Sequence, residues 1–364
     1  MSGSPGDETV MVGGGYYNAH SEQQRDAIAL SLPLLERAAA AAPLPGLGQP
    51  FVVADYGAAA GRNSLLPMQT VIAAVRQRLP SPAPISIVHT DLPENDFNAL
   101  FVLLGESPES YLRDAPEVYA FATGKTMYEQ VLPADQVAVG YTASTVHWMS
   151  AAPCAIPGQI WPARATGAVR AAFVARGRQD WETFLARRAR ELRPGGQLVV
   201  LAGVADAAGA SGAESLLDLA NEVLQELVAA GTLAAAEYAR MVLPMYYRTA
   251  EQYTAPLAAG AASPVGRALR LVEQQEASLA DVYWAQYERT GDASGYAADY
   301  TAYLRAFTEP VLFGPATVPR AASERARLAR TYYARVEERI AAAPARAICH
   351  WRVILLRIAR HPAA

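Results

Sequence analysis

The chain has 364 residues, 52% of them hydrophobic and 18% charged, which suits one large α/β domain or a domain with a sizeable insertion, built around a full core. A net charge of −4 gives no reason to expect nucleic acid or an acidic membrane as partner. Cys154 and Cys349 make neither a disulfide framework nor a metal-ligand spacing. With no signal pattern and no bilayer-length apolar run, the expected setting is cytoplasmic, without a metal.

Apolar positions at helical spacing (Ile28, Leu35, Ala39) predict a helix over 21–42, ended by Pro43 and Pro45. FVVADYGAAAG then reads as a buried strand from Phe51 to Ala54. It runs through a turn of small residues into a helix from about Ser64 to Leu79. ISIVHTDL (85–92) is a second strand, 137–143 a third, and 197–204, after RPGG, a fourth. A helical pattern fills 166–193. From 205 to 300 the pattern turns to helices with polar breaks and many tyrosines, and RAICHWRVILLRIAR (346–360) reads as a final strand or strand pair. The arginines between 320 and 360 are interspersed with Glu and read as a solvated helix face. Strand–loop–helix alternation with Gly turns predicts a doubly wound, Rossmann-like parallel sheet with a mostly helical cap.

Two strand tips carry the chemistry. The first delivers Asp55, followed by Gly57 and further small residues that let a ligand approach the backbone at a helix start. The fuller GxGxxG pyrophosphate fingerprint is absent. The second strand ends at Asp91, where a carboxylate can accept hydrogen bonds from both ribose hydroxyls. Acids at two successive tips suit a ligand with positive charge and no phosphate. S-adenosylmethionine has an ammonium, a sulfonium and no phosphate, so a class I methyltransferase core is the leading reading. The third strand ends in His147 and Trp148. Taken alone, that pair reads as packing.

Six ordered segments resemble the SABATH carboxyl methyltransferases: MVGGGYYNAHSEQQ (11–24), DYGAAAGRNS (55–64), TDLPENDFNALF (90–101), GYTASTVHWMSAAP (140–153), DWETFLARRARELRPGGQLVV (180–200) and YLRAFTEPVLFG (303–314). The resemblance implies a core over residues 1–204 with an N-terminal substrate and cofactor lid. It further implies a mainly helical cap over 205–300, and a return to the core with a final helix and strands over 301–364. It places Tyr17, Ser21, Gln24, Asp55, Gly57, Asn63, Asp91, Leu92, Thr126 and Met127 at the cofactor, S-adenosylmethionine, with S-adenosylhomocysteine as product. Gln24 and Trp148 fall on the positions that hold the substrate carboxylate, with His147 beside them as the third candidate catalytic residue. Ser144, Met149, Tyr246 and Phe307 complete the expected substrate pocket. A small-molecule carboxylic acid is the implied partner, and a homodimer is expected by resemblance only.

Departures bear on the substrate. His20 stands where the family has Asn, Ser144 where plant members often have Tyr, and the late HFG motif reads LFG at 312–314, which fits a distant, microbial member. Carboxylates are ionised at neutral pH. Neutral donors at Trp148 and Gln24 can therefore orient the acceptor without a general base, and His147 reads as a shaping and hydrogen-bonding neighbour. Two alternatives stay open: N- or phenol-O-methylation of a flat heteroaromatic, and a small-molecule-binding protein without turnover. The chain's single lysine, Lys125, next to Thr126, reads at least as well as a surface residue as a ligand contact.

Overall fold

The computed structural model describes residues 11–362 except 15, 80–82 and 114. Its strands are β1 (Phe51–Tyr56), β2 (Ile85–Asp91), β3 (Val118–Gly124), β4 (Val137–Ala143), β5 (Leu192–Ala205), β6 (Arg248–Thr249), β7 (Leu269–Ser278) and β8 (Arg352–Arg360). The order across the sheet is β3-β2-β1-β4-β5-β8-β7, with the short β6 paired to β5. The first five strands run parallel, and β8 and β7 close the sheet antiparallel.

Burial on both faces accounts for the uninterrupted apolar runs. Every residue of β1 is buried. Phe51 and Val53 join one core with Val199, Leu201, Val353 and Leu355. Val52, Ala54 and Tyr56 join the opposite core with Leu198, Val200, Ile354 and Leu356. The helices are α1 (Tyr16–Ala19), α2 (Glu22–Ala41), α3 (Leu65–Arg76), α4 (Phe97–Glu106), α5 (Gly167–Glu191), α6 (Glu214–Ala229), α7 (Ala235–Tyr238), α8 (Ala250–Ala258), α9 (Pro264–Ala268), α10 (Val282–Thr290), α11 (Ala293–Leu312) and α12 (Ala322–Ala342). Residues on α2, α3, α6, α11 and α12 build the first core, and those on α5 and α8 build the second.

Two strands lie where the sequence pattern indicates none. VYAFATG forms the edge strand β3, where Tyr119 and Phe121 are exposed, so the buried-run signal is missing. LRLVEQQEAS, within the expected helical stretch 205–300, forms the other edge strand, β7. Its outward Arg270 and Gln275 are exposed, and polar residues are what an open sheet edge tolerates. The helix entering the final segment also starts earlier than residue 301, at Ala293. No helix among the described residues is long and apolar enough to cross a membrane.

Chain order reverses between β1 and β4: from β1 the chain builds outward to β2 and β3, then returns to β4 on the other side. Such a switch point opens a crevice beyond the carboxyl ends of the strands. Here those ends are Tyr56, Asp91, Gly124 and Ala143, after which the chain carries Gly57, Leu92, Lys125 and Ser144.

Candidate active site

A cavity at the switch point is lined by Gly57, Ala59, Thr90, Asp91, Leu92, Asn95, Lys125, Met127, Tyr128, Ser144, Thr145, Trp148 and Met149, among others. Asp91 organises its floor. One carboxylate oxygen accepts the Ala59 N–H at 2.7 Å and the other the Leu92 N–H at 2.8 Å, so the acid ties the β1 turn to its own loop. Desolvation dominates over these two hydrogen bonds and raises the Asp91 pKa to about 6, with the Asp55 charge adding to the rise.

The turn after β1 depends on glycine. Gly57 has φ +87° and gives its N–H to the Thr90 carbonyl at 2.8 Å. A Cβ at Gly57 would overlap the Thr145 side chain. Gly57→Ala is therefore expected to fold with a shifted turn and to lose S-adenosylhomocysteine binding by at least about tenfold, roughly 1.4 kcal/mol, in a titration calorimeter. Wild-type affinity in this variant would mean that the turn does not contact the ligand.

Asp55 is 3% exposed and lies behind the cavity. One of its oxygens accepts the Ser64 hydroxyl at 2.5 Å and pairs with His89 Nδ1 at 2.9 Å, while His89 Nε2 meets the Tyr111 hydroxyl at 2.7 Å. Asn63 donates to the Ser21 hydroxyl at 3.2 Å, which joins the loop after β1 to the start of α2. Thr126 is turned into its own loop, where its hydroxyl accepts the Tyr128 N–H at 3.3 Å, and Met127 is the member of that pair on the cavity wall. The side chain of Tyr17 lies outside the described residues.

A buried ion pair holds the Met127 loop in place. Arg188 and Glu191, both fully buried on α5, pair at 2.8 Å. Arg188 also donates to the carbonyls of Met127 and Glu129, and its guanidinium stacks 4.2 Å from the Tyr56 ring centre. Glu191 accepts the N–H groups of Val131 and Leu132 and the Tyr56 hydroxyl. Each charge thus meets several partners, as burial of an ion pair requires, with the Arg188 Nε–H left unpaired among the described residues. Lys125 closes the same loop from outside, donating to the Gln130 carbonyl at 2.8 Å and pairing with Glu129 at 3.1 Å.

A second cavity adjoins the first. Met11, Gln24, Ser144, His147, Trp148, Met245, Tyr247, Tyr303, Phe307 and Trp351 line it. Met11, Ser144 and Trp148 belong to both walls. Ser144 sits there in the left-handed region (φ +56°), uncommon for a residue with a side chain, and its buried hydroxyl has no partner. The buried Gln24 amide oxygen also has none. Trp148 is fixed by a β-bridge to Met245 and by the Tyr128 hydroxyl, which donates to its carbonyl. His147 is 4% exposed and packs its ring 4.8 Å from that of Tyr247. Burial foremost, and the nearby Arg248 charge second, lower the His147 pKa to about 3. Its Nδ1 accepts the Gly203 N–H at 3.3 Å, so the ring hydrogen stands on Nε2.

Two expected substrate contacts stand elsewhere. Met149 lines the first cavity and not the second. Tyr246 lines a neighbouring cavity instead, its hydroxyl donating to Gln252 at 3.1 Å, and Met245 and Tyr247 take the wall of this one. Side chains on an extended segment alternate faces, so LPMYYR marks the right stretch but the neighbouring residue. Tyr303, one turn before Phe307 on α11, follows from helical spacing. Nothing in the sequence singled out Met11 or Trp351. No group of three or more His, Cys, Asp or Glu side chains among the described residues could hold a metal.

Residues 8–347 match the family described as SAM dependent carboxyl methyltransferase. Similar proteins include the methyltransferase LUC1 of a Fusarium species, 27% identical over 247 residues, which are 67% of this chain and 65% of that protein. Gibberellic acid methyltransferase 1 of Arabidopsis thaliana is 24% identical over 311 residues, 78% of this chain and 80% of that one. The chain spans about half to two thirds of the length of the first curated relatives it matches. The solved structure of loganic acid methyltransferase with SAH shares the fold, with a TM-score of 0.75 over 97% of this chain and 99% of that chain at 19% identity. With the family match extending from the first loop of the site past α12, the chain belongs to the SAM-dependent carboxyl methyltransferases.

Proposed function

We propose that the chain methylates the carboxylate of a small, largely apolar acid with S-adenosylmethionine as donor, giving a methyl ester. The observation that carries this reading is the wall shared by the two cavities: a group held at Trp148 and Ser144 lies between the space at the strand tips and the aromatic pocket. The first cavity fits the cofactor, with a carboxylate at Asp91 for paired hydroxyls and a glycine at position 57 that leaves the turn open to close approach. Bound there, S-adenosylmethionine would supply an electrophilic methyl group on a sulfonium.

The protein's own part is to orient and to exclude water. The Trp148 indole N–H and the Gln24 amide are neutral donors. They can hold a carboxylate without the full counter-charge that an arginine would place on the reacting oxygen. The buried Gln24 atom without a partner is the amide oxygen, which only accepts, whereas Ser144 adds a hydroxyl in the same state that can donate to a carboxylate. Burying such groups unpaired is costly, so a ligand that pairs them gains specificity. Tyr247, Tyr303, Phe307 and Trp351 supply an aromatic surround that also carries two hydroxyls and an indole N–H.

His147 supports the ester reading over the phenol or ring-nitrogen alternative. Those acceptors must lose a proton, and a neutral imidazole whose Nδ1 is engaged by Gly203 presents only an N–H to the pocket. The rate on an acid is therefore expected to be flat between about pH 7 and 9, with no inflection from a histidine. Incubation with labelled S-adenosylmethionine and a panel of aromatic, terpenoid and fatty acids, heteroaromatics and phenols tests the reading. Methyl esters are the expected products. Ring-N or aryl-ether products would replace the reading with the alternative, and cofactor binding without any product would make the chain a binding protein.

A further inference from the structure

We propose that a third cavity, behind Met245 and Tyr247, is the far chamber of the acceptor site, and that it takes the distal end of an elongated acid bearing a second carboxylate. The inference rests on the carboxyl-methylation reading above and names its substrate class.

The space at Trp148 is short for an elongated acid: the aromatic pocket encloses about 40 Å³ and meets the first cavity at Met11, Ser144 and Trp148. The neighbouring chamber encloses about 180 Å³ and shares Met245 and Tyr247 with the pocket, so these two side chains are the partition. Met245, an unbranched and adaptable side chain, is the part of the partition that can move aside. The half-buried Tyr247 ring lies flat over Gly203, where a Cβ would come within 2.7 Å of it, and forms the fixed part. Tyr247 packs between His147 on the pocket side, at 4.8 Å, and Trp161 on the chamber side, at 5.7 Å.

The chamber is mixed in polarity: Trp161, Ala163, Val174 and Ala205 give it apolar surface, and Gln252, Thr249, Ser211 and Arg170 polar surface. Gln252 uses its amide oxygen for Tyr246 and for the Thr249 N–H, which leaves the NH₂ side as a donor. Arg170 stands over Gly209, and its guanidinium makes no hydrogen bond or ion pair among the described residues. Neither acid of the adjoining stretch pairs with it: Asp206 accepts the N–H groups of Ala208 and Ala210, and Glu214 those of Ser211 and Gly212. Arg170 is solvent-exposed, and its unpaired guanidinium together with the Gln252 amide donor on the chamber lining favours an anionic oxygen. One carboxylate would then lie at Trp148 and the other at Arg170, with the apolar body between them.

The test compares benzoate, saturated monocarboxylic acids and α,ω-dicarboxylic acids of matched length in wild type, Arg170→Met and Ala163→Phe. Turnover is followed, and binding to the S-adenosylhomocysteine-loaded protein is followed by tryptophan fluorescence. Arg170→Met is expected to raise KM for the long dicarboxylic acid at least fivefold and to spare benzoate and the matched monoacid. Ala163→Phe is expected to weaken both long acids and spare benzoate. Unchanged kinetics for the dicarboxylic acid in both variants would overturn the proposal, as would equal losses on benzoate. Dicarboxylate binding that does not compete with benzoate would make the chamber a separate site and also overturn it. If no acid is esterified, the methylation reading fails. The chamber then stands or falls on whether Arg170→Met weakens dicarboxylate binding at least fivefold.

Discussion

Replacing Trp148 by Phe is expected to lower kcat/KM for a carboxylic acid by about 10- to 100-fold, the worth of one hydrogen bond to a charged group, roughly 1.5–3 kcal/mol. The variant keeps an aromatic ring against Phe307, whose ring centre lies 6.4 Å away, and deletes only the N–H. Two features make it a clean probe. The β-bridge to Met245 and the Tyr128 hydroxyl bond engage the Trp148 backbone, not its indole, so the loop geometry survives the substitution. Cofactor affinity should change little, because the other walls of the first cavity are untouched. Unchanged kcat and KM would sink the idea that the indole N–H orients the acceptor. A fall in cofactor affinity of the same size would move Trp148 from the acceptor to the cofactor.

The second large effect is expected at Asp91. Asp91→Asn keeps the shape but leaves an acceptor for only one of the two N–H groups, from Ala59 and Leu92, that the carboxylate now holds. It also removes the charge that two ribose hydroxyls would meet. Affinity for S-adenosylhomocysteine is expected to fall about 100-fold by calorimetry, as two charge-assisted hydrogen bonds of roughly 1.5 kcal/mol each imply. Retained affinity would place the ribose elsewhere.

Wild type should show the same dependence through pH. Desolvation puts the Asp91 pKa at about 6, above its ordinary 3.8. In the free fold, this group therefore favours the native state below about pH 4, and that contribution is lost as the pH rises through 6. Ligand hydroxyls favour the charged form, so cofactor affinity has the opposite slope. It is expected to rise about tenfold from pH 5 to pH 7 and then to level, with one proton released below the midpoint. On the proposed reading, cofactor binding at this carboxylate, and not the methyl-transfer step, is expected to be the pH-sensitive part of the reaction, because burial keeps His147 neutral.

Much of the architecture follows from local pattern. β1, β2, β4 and the long α5 stand where apolar runs and helical spacing put them, because strands buried on both faces leave a continuous signal. The acid tips at Asp55 and Asp91 and the Gly57 turn were legible for the same reason: strand, turn and helix lie within about fifteen residues of one another. The edge strands β3 and β7 were not, since one side of each faces solvent and their exposed positions mix aromatic and polar residues.

The inner strands, the two acid-tipped loops and the family likeness depend on residues close along the chain, and so they are legible locally. Packing between distant segments set the rest. It made Asp55 a buried partner of Ser64 and His89, and it turned Thr126 away while leaving Met127 on the wall. It also selected Tyr247 over Tyr246, because the bridge between Trp148 and Met245 sets which face of that extended segment meets the pocket. Met11, Gln24, Trp148, Tyr303 and Trp351 converge from five separate stretches of the chain. Side-chain direction and long-range convergence are properties of packing, and no local spacing encodes them.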